Sequence, residues 1–190
     1  MIEQTLVLFK PDAIQRGIVG EILTRFERVG LKVVALKMLF ATKEQLEEHY
    51  HKEDDWLIEK GKSIIKNKNY PANYDPKKAG REIVNGLVND MMLSPIVAMV
   101  LEGHNAIAVV RKLVGPTNIE QALPGTIRGD YSHDTYGLAN ISDRPIITII
   151  HASGDLNDAK KEINIWFSKE EIHSYDRTDT KLHYRKGLID

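Results

Sequence analysis

No cysteine occurs anywhere in the chain. Disulfides, thiolate nucleophiles and cysteine-based zinc sites are therefore excluded. An excess of either charge is also lacking. The formal net charge is −1, so the chain as a whole has no pull toward nucleic acid or anionic membrane, and any such affinity must reside in a local patch. No window approaches the ~18 apolar residues of a membrane span. The opening MIEQTLVLFKPD has neither the basic n-region nor the long apolar h-region of a signal peptide. The expectation is a soluble, cytoplasmic protein. No internal repeat is visible, and no G-x-G-x-x-G follows a strand. Gly61-Lys62-Ser63 has the ending of a phosphate loop, but Trp56 stands where the earlier glycine belongs and no strand precedes it. What is present is ordinary globular composition, 42% hydrophobic and 28% charged over 190 residues. That suits one domain, 1–190, with room for insertions.

Apolar patterning orders the elements. QTLVLF (4–9), LKVVALKMLF (31–40), SPIVAMVLEG (94–103) and the run at 146–150 read as strands, and Pro11 stops the first of them. Ile18, Ile22, Leu23, Phe26 and Val29 recur at helical spacing, with Gly30 as the C-terminal cap. Thr42 with Gln45 forms a capping box opening a short polar helix over 42–50. Further helices are predicted over 81–93, over 104–114 ahead of Gly115, and from Asp155 to about Phe167. The stretch 59–80 is dense in lysine, asparagine, proline and glycine, and is predicted to be an inserted loop with little capacity for core. A loop over 115–130, a polar segment over 131–145 and a charged tail over 168–190 complete the reading. Strand–helix–strand twice over predicts an α+β fold, a split βαβ antiparallel sheet with helices on one face.

Four places could carry chemistry. RPIITIIHASGD runs an apolar strand into His151 and then turns on small residues; a satisfied core histidine and a reactive one both fit that stretch. Glu162 flanks the apolar stripe of the last helix, where a half-buried carboxylate could orient the His151 ring. Lys10, Arg111 and Arg128 lie at element ends or in loops, placed to grip a polyphosphate, although each alone reads as a surface ion pair. His49, His51 and the acids of HYHKEDD crowd together, but they read as a solvated helix face rather than a metal site.

Taken in order, FKPDAIQRGIVGEI, GPTN ahead of PGTIRGD, and IIHAS followed by an acid in the next helix resemble nucleoside diphosphate kinase over nearly the whole chain. The resemblance implies a ferredoxin-like four-stranded sheet and a homo-oligomer, hexamer or tetramer. It implies ping-pong transfer of a γ-phosphoryl group from a nucleoside triphosphate, mainly ATP, to a diphosphate, which maintains triphosphate pools. Mg²⁺ would be carried by the nucleotide phosphates rather than by protein ligands. By resemblance His151 is the phosphorylated nucleophile, Glu162 holds its other nitrogen, and Ser153 positions Glu162. Lys10 reaches the sugar hydroxyl and the transferring phosphate, with Tyr50 beside it. Arg111, Thr117 and Arg128 bind phosphates, and Trp56 is the candidate to stack the base.

The chain departs from the family pattern in three places. Thr148 replaces the usual asparagine three residues before the histidine, which implies a weaker sugar contact. On a regular strand Thr148 and His151 would face opposite sides, so the backbone must bend between them. The basic insertion at 59–80 and the lengthened 131–145 segment, a lid or an oligomer contact, are the others. A non-catalytic binding module is the rival reading, opposed by intact Lys10, Arg111, Arg128, His151 and Glu162. Binding of nucleic acid through Tyr70 and Tyr74 among Lys66, Lys68, Lys77 and Lys78 is a second rival; a solvated basic loop is the favoured reading there.

Overall fold

The computed structural model describes residues 2–68 and 70–180. Asn69 in the basic insertion and residues 181–190 of the expected charged tail lie outside the described residues.

Strands β1 (Ile2–Phe9), β2 (Lys32–Leu39), β3 (Ile96–His104) and β4 (Ile150–Ala152) form one sheet in the order β2-β3-β1-β4. β3 pairs antiparallel with both β1 and β2, and so lies inside the first strand–helix–strand unit. That is the split, ferredoxin-like arrangement the element order predicts. Alternation along β1 divides the core. Leu6 and Leu8 belong to one buried cluster, Val7 and Phe9 to another, because successive strand side chains point to opposite faces.

Helices α1 (Pro11–Gln15), α2 (Val19–Arg28), α3 (Lys43–His49), α4 (Asp54–Asn67), α5 (Pro76–Met91), α6 (Ala106–Val114), α7 (Ile127–Tyr131), α8 (Tyr136–Ile141) and α9 (Leu156–Trp166) surround the sheet. α2 and α6 cover the Val7/Phe9 face through Ile22, Phe26 and Val110. α3, α5 and α9 cover the Leu6/Leu8 face through Leu46, Met91, Ile163 and Trp166. Both faces are therefore dry, where the element order predicts helices on one. The unbroken apolar runs of β1 and β3 are what a sheet covered on both sides requires. Leu6, Leu8, Phe9 and Phe26 are 0% exposed, each worth about 1.5–3 kcal/mol, so β1 is firmly seated beneath whatever is attached to it.

The local signals hold where they are chemical. Thr42 Oγ1 accepts from the Gln45 amide at 3.2 Å and Gln45 Oε1 accepts from the Thr42 amide at 3.1 Å. Gly115 closes α6 at φ 83°, and Gly30 follows α2 at φ 87°, backbone that glycine adopts freely.

β1 ends at Phe9, ahead of Pro11, as expected; Pro11 also opens α1, since proline suits the first helical position. Three further sequence expectations are corrected. The 59–80 stretch is mostly helix, α4 running to Asn67 and α5 starting at Pro76, with Asp75 capping the Lys77 amide. Its glycines are packing sites: a Cβ on Gly61 would lie 1.7 Å from the Pro76 carbonyl, and one on Gly80 2.1 Å from that of Leu57. The expected 115–130 loop holds a 3₁₀ turn at Ile119–Gln121 and most of α7, and the 131–145 segment contains α8. The last strand is Ile150–Ala152, so residues 146–149 approach the sheet without joining its ladder. His151 is thus inside the strand and not at its end.

The 59–80 and 131–145 segments lie beside each other. Lys68 Nζ pairs with Asp143 at 2.8 Å, and a Cβ on Gly86 of α5 would stand 2.8 Å from Pro145 Cγ. Arg144 holds Asp134 through both oxygens, at 2.6 and 3.0 Å, and Asp134 also accepts the Ile147 amide at 2.7 Å. Within the basic stretch, Tyr70 and Tyr74 both donate to Glu82, and Lys77 pairs with Asp54 at 2.5 Å. Beyond α9 the chain returns to edge strand β2, where the His173 amide donates to Val34 O at 2.8 Å and Tyr175 Oη to Val33 O at 2.7 Å. Further along β2, Leu36, Met38 and the following Phe40 are 51%, 60% and 69% exposed. Among the described residues no helix is long and apolar enough to cross a membrane.

Candidate active site

His151 pairs with Leu8 in the β1–β4 ladder, so its side chain shares the Leu8 face, the one covered by α3 and α9. Asp155 caps α9 by accepting from the Asn157 and Asp158 amides at 2.7 and 2.9 Å. That start places Ala159, Ile163 and Trp166 against the sheet and brings Glu162 beside the histidine. His151 Nε2 lies 3.0 Å from both Glu162 oxygens. Ser153, 0% exposed, donates its hydroxyl to Glu162 Oε2 at 2.6 Å and accepts the Leu6 amide at 3.2 Å. Burial opposes the charge on Glu162, but the bonds from His151 and Ser153 outweigh it and hold the carboxyl below its ordinary range. An ionised carboxylate only accepts, so Nε2 carries the ring proton and Nδ1 the lone pair.

A cavity of about 310 Å³ opens over this pair, lined by His151, Glu162, Arg111, Thr117 and Arg128 among others. Arg128 is buried and spends two of its nitrogens on backbone carbonyls, Gly115 at 2.8 Å and Ile150 at 3.0 Å. Burial, and then the charge of Arg111, bring its pKa down to about 10, so it stays cationic at neutral pH. Arg111 comes from the last turn of α6 and is exposed. Lys10 lies just past β1, its amide donating to Ile149 O at 3.0 Å. Burial and the nearby Arg128 charge lower its pKa to about 8, against the opposite pull of Asp90. Arg111, near the end of α6, and Arg128, near the start of α7, line the same cavity, and Lys10 lies near enough to feel the Arg128 charge.

The structure therefore brings together His151, Glu162, Ser153, Arg111, Thr117 and Arg128, with Lys10 electrostatically coupled to Arg128. Tyr50 is buried at the C-terminal end of α3, its hydroxyl unpartnered among the described residues, and burial followed by Glu162 and Asp90 pushes its phenol up. Thr148 is buried at 6%, on the irregular stretch where the sequence requires a bend. Trp56 is half-buried on α4 and is not among the residues lining the cavity. Lys52, whose ammonium lies 5.8 Å above the Trp56 ring, does line it.

The reading of His49 as part of a solvated helix face is corrected. The residue is 6% exposed, lines the cavity, and stands edge-on to His151 with ring centroids 4.6 Å apart. The signal was its spacing of three from Leu46, which places it on the buried side of α3; the neighbouring acids drew attention instead. His51, Lys52, Asp158 and Lys161 also line the cavity. Ligand atoms of His49, His151 and Glu162 fall within 4.8 Å of one another. Mg²⁺ prefers an octahedron of oxygens, which this nitrogen-rich trio does not offer, so Mg²⁺ fits better on a ligand's phosphates than on these side chains.

The family model for nucleoside diphosphate kinase matches residues 3–57 and 52–172. A nucleoside diphosphate kinase of Pyrobaculum aerophilum is 45% identical over 179 residues, 90% of this chain and 98% of that protein. One from Borreliella burgdorferi is 38% identical, covering 97% of this chain and 98% of that protein. The crystal structure of an NDP kinase from Pyrobaculum aerophilum superposes with a TM-score of 0.85 at 42% identity, covering 92% of this chain and all of that one. A transition-state mimic of the Borrelia burgdorferi enzyme with bound vanadate and ADP superposes at 0.78 and 36% identity, over 95% and 96% of the two chains. A nucleoside diphosphate kinase from Halobacterium salinarum in complex with CDP gives 0.71 at 32%, over 97% and 99%. A histidine braced by a buried carboxylate, cations around one cavity, and relatives matching along nearly the whole chain lead to one conclusion: the chain belongs to the nucleoside diphosphate kinase family of phosphotransferases.

Proposed function

We propose that this chain moves the γ-phosphoryl group of a nucleoside triphosphate, mainly ATP, onto a nucleoside diphosphate in a ping-pong cycle, with the group resting on His151 between half-reactions. The observation that carries the reading is the chain of bonds from Ser153 to Glu162 to His151 Nε2, at 2.6 and 3.0 Å. It leaves the Nδ1 lone pair available beside a cation-lined cavity.

In the first half-reaction Nδ1 bonds to the γ-phosphorus while the bond from that phosphorus to the bridging oxygen breaks. The electron pair leaves with the diphosphate. The ring keeps its Nε2 proton and becomes cationic, and the Glu162 carboxylate faces that charge. In the second half-reaction a terminal phosphate oxygen of the acceptor takes the phosphoryl group, and the electron pair returns to Nδ1. No proton has to leave the protein. Arg111, Thr117 and Arg128 grip the phosphates, Lys10 adds charge near the transferring group, and Mg²⁺ arrives as part of the nucleotide. Phosphoryl transfer asks chiefly for such positioning and charge compensation, so no P-loop is needed. The bound vanadate and ADP of the Borrelia burgdorferi relative and the CDP of the Halobacterium salinarum relative support nucleotides as substrates here.

The working form is a homo-oligomer, hexamer or tetramer. The exposed apolar row of Leu36, Met38 and Phe40 on an edge strand supports it, since such rows mark association surfaces. Light scattering gives the subunit number; a monomer at micromolar concentration would overturn this part. The 59–80 stretch is read as a solvated basic surface, in keeping with its tyrosines donating to Glu82 and with the pairing of Lys68 and Lys77 to acids.

The experiment is incubation with γ-labelled ATP and Mg²⁺, a quench, and exposure of the protein to acid and alkali, with His151→Ala alongside. Label that survives alkali, decays in acid, is missing from the variant and chases onto GDP supports the cycle. An unlabelled wild-type chain would mean that the site binds nucleotides without relaying phosphate.

A further inference from the structure

His49 has no part in the cycle described above, yet it touches the nucleophile. It ends α3 on the same side as Leu46, and its ring contacts three others. It stands edge-on to His151 at 4.6 Å and 81°, to Trp166 at 5.6 Å and 73°, and to Tyr50 at 4.8 Å and 77°. The Trp166 indole Nε1–H donates to His49 Nδ1 at 3.2 Å. An indole nitrogen only donates, so His49 Nδ1 must hold a lone pair and the proton of a neutral ring lies on Nε2.

The groups around His49 keep it neutral. Burial acts first, and the charges of His151, Lys10 and Lys52 also oppose protonation, while Glu162 alone favours it; the pKa falls to about 3. A second proton would also have to enter on Nδ1, against the indole N–H. His49 is therefore a fixed, uncharged ring whose tautomer is set from outside the cavity.

Glu162 holds His151 at one atom, Nε2, and a single bonded atom does not fix the plane of a ring. We propose that His49 is a positioning residue for the nucleophile: locked as its Nε2–H tautomer by Trp166, it braces the face or edge of the His151 ring, so that Nδ1 keeps one bearing toward an incoming phosphoryl group. This rests on His151 as the phosphoryl carrier. Its neutrality matters too, because a cation at 4.6 Å would disfavour the positive ring that forms when Nδ1 bonds to phosphorus.

The test is single-turnover labelling by γ-labelled MgATP in the full chain, across a range of ATP concentration and pH, for wild type, His49→Ala, His49→Gln and Trp166→Phe. His49→Ala is expected to slow phosphorylation by about 10- to 100-fold, as a small misplacement of reacting atoms does, with half-saturation by MgATP within about twofold because phosphates are held elsewhere. Glutamine accepts from the indole and donates in turn, so His49→Gln regains most of the rate. Trp166→Phe frees Nδ1, lets His49 gain a proton in acid, and makes the rate fall at higher pH than in wild type. Phosphorylation of His49→Ala within threefold of wild type overturns the inference. So does a folded His49→Gln as slow as the alanine variant, or, should His49→Ala not fold, superimposable pH profiles for Trp166→Phe and wild type. Absence of label on wild type would instead overturn the phosphohistidine cycle, which keeps the two failures distinct.

Discussion

Glu162→Gln tests the charge on the carboxylate separately from its shape. In the wild type, both Glu162 oxygens lie 3.0 Å from His151 Nε2, and Ser153 braces one of them at 2.6 Å. When Nδ1 bonds to phosphorus the imidazole becomes cationic, so this contact changes from a bond to a neutral ring into one between opposite charges. Hydrogen bonds to charged groups contribute about 1.5–3 kcal/mol, against about 1 for a neutral pair. The glutamine oxygen still accepts the Nε2 proton, so the variant loses the difference, about 0.5–2 kcal/mol, which is a rate loss of about 2- to 30-fold at 1.36 kcal/mol per decade. The assay is rapid-quench phosphorylation at saturating MgATP, with ATP affinity measured in parallel. The loss is expected in the rate of the chemical step and not in ATP affinity, since the carboxylate acts on the ring. A Glu162→Gln rate within twofold of wild type, in a folded protein, would refute the idea that this carboxylate stabilises the charged ring.

Three further outcomes follow from the geometry. Lys10 titrates near 8 in the folded chain, below the ordinary 10.5; the unfolded chain thus binds that proton more readily between the two values, and stability rises with pH across that window while the unfavourable contribution is complete below it. Binding of an anionic triphosphate reverses part of the depression, so KM for MgATP is expected to climb above about pH 8 and to flatten in Lys10→Arg, which stays charged; a KM constant to about pH 9.5 in wild type contradicts this. Asp134→Ala leaves Arg144 and the Ile147 amide without their shared partner and should cost about 2–3 kcal/mol in urea unfolding. The Asp134 carboxyl is held below its ordinary range chiefly by the bond from Arg144, so its contribution is present above the ordinary carboxylate pKa and is lost as pH falls through the lower folded value. Gly61→Ala forces α4 from α5, because the new methyl would lie 1.7 Å from the Pro76 carbonyl; about 1–3 kcal/mol of destabilisation is expected from such overpacking, read as a lowered Tm.

Strands and caps were legible because their signals are local. The apolar run of β1, the reciprocal Thr42/Gln45 bonds and the glycine after α6 are each decided within a few residues. The 59–80 stretch misled because its composition is that of a loop while its decisive contacts are not local. Gly61 meets Pro76 and Gly80 meets Leu57, close helix approaches that only a side chain of hydrogen permits, and these read as turn glycines in a linear chain. The apolar run 146–149 misled in the opposite direction: it is buried at Thr148 and Ile149 but tied down by Asp134 and Lys10 instead of by a strand ladder. In the site, Arg111, Thr117, Arg128, His151 and Glu162, carried by motif, line one cavity although they lie far apart in the chain. His49 was hidden by its neighbours, whose charges made a buried position read as a solvated face.

β4 is three residues long and pairs along that length with β1. Its further fastenings come from site residues: Arg128 to the Ile150 carbonyl, Ser153 to Leu6, and the Lys10 amide to Ile149. In many enzymes active-site groups are strained or costly to fold, and their replacement raises stability at the expense of turnover. Here that trade is partly inverted, because replacing Arg128 or Ser153 removes an anchor of the sheet edge together with a working part. Selection for a well-folded chain and selection for an active one then preserve the same side chains, which leaves little room for a stable but idle descendant that keeps this edge intact.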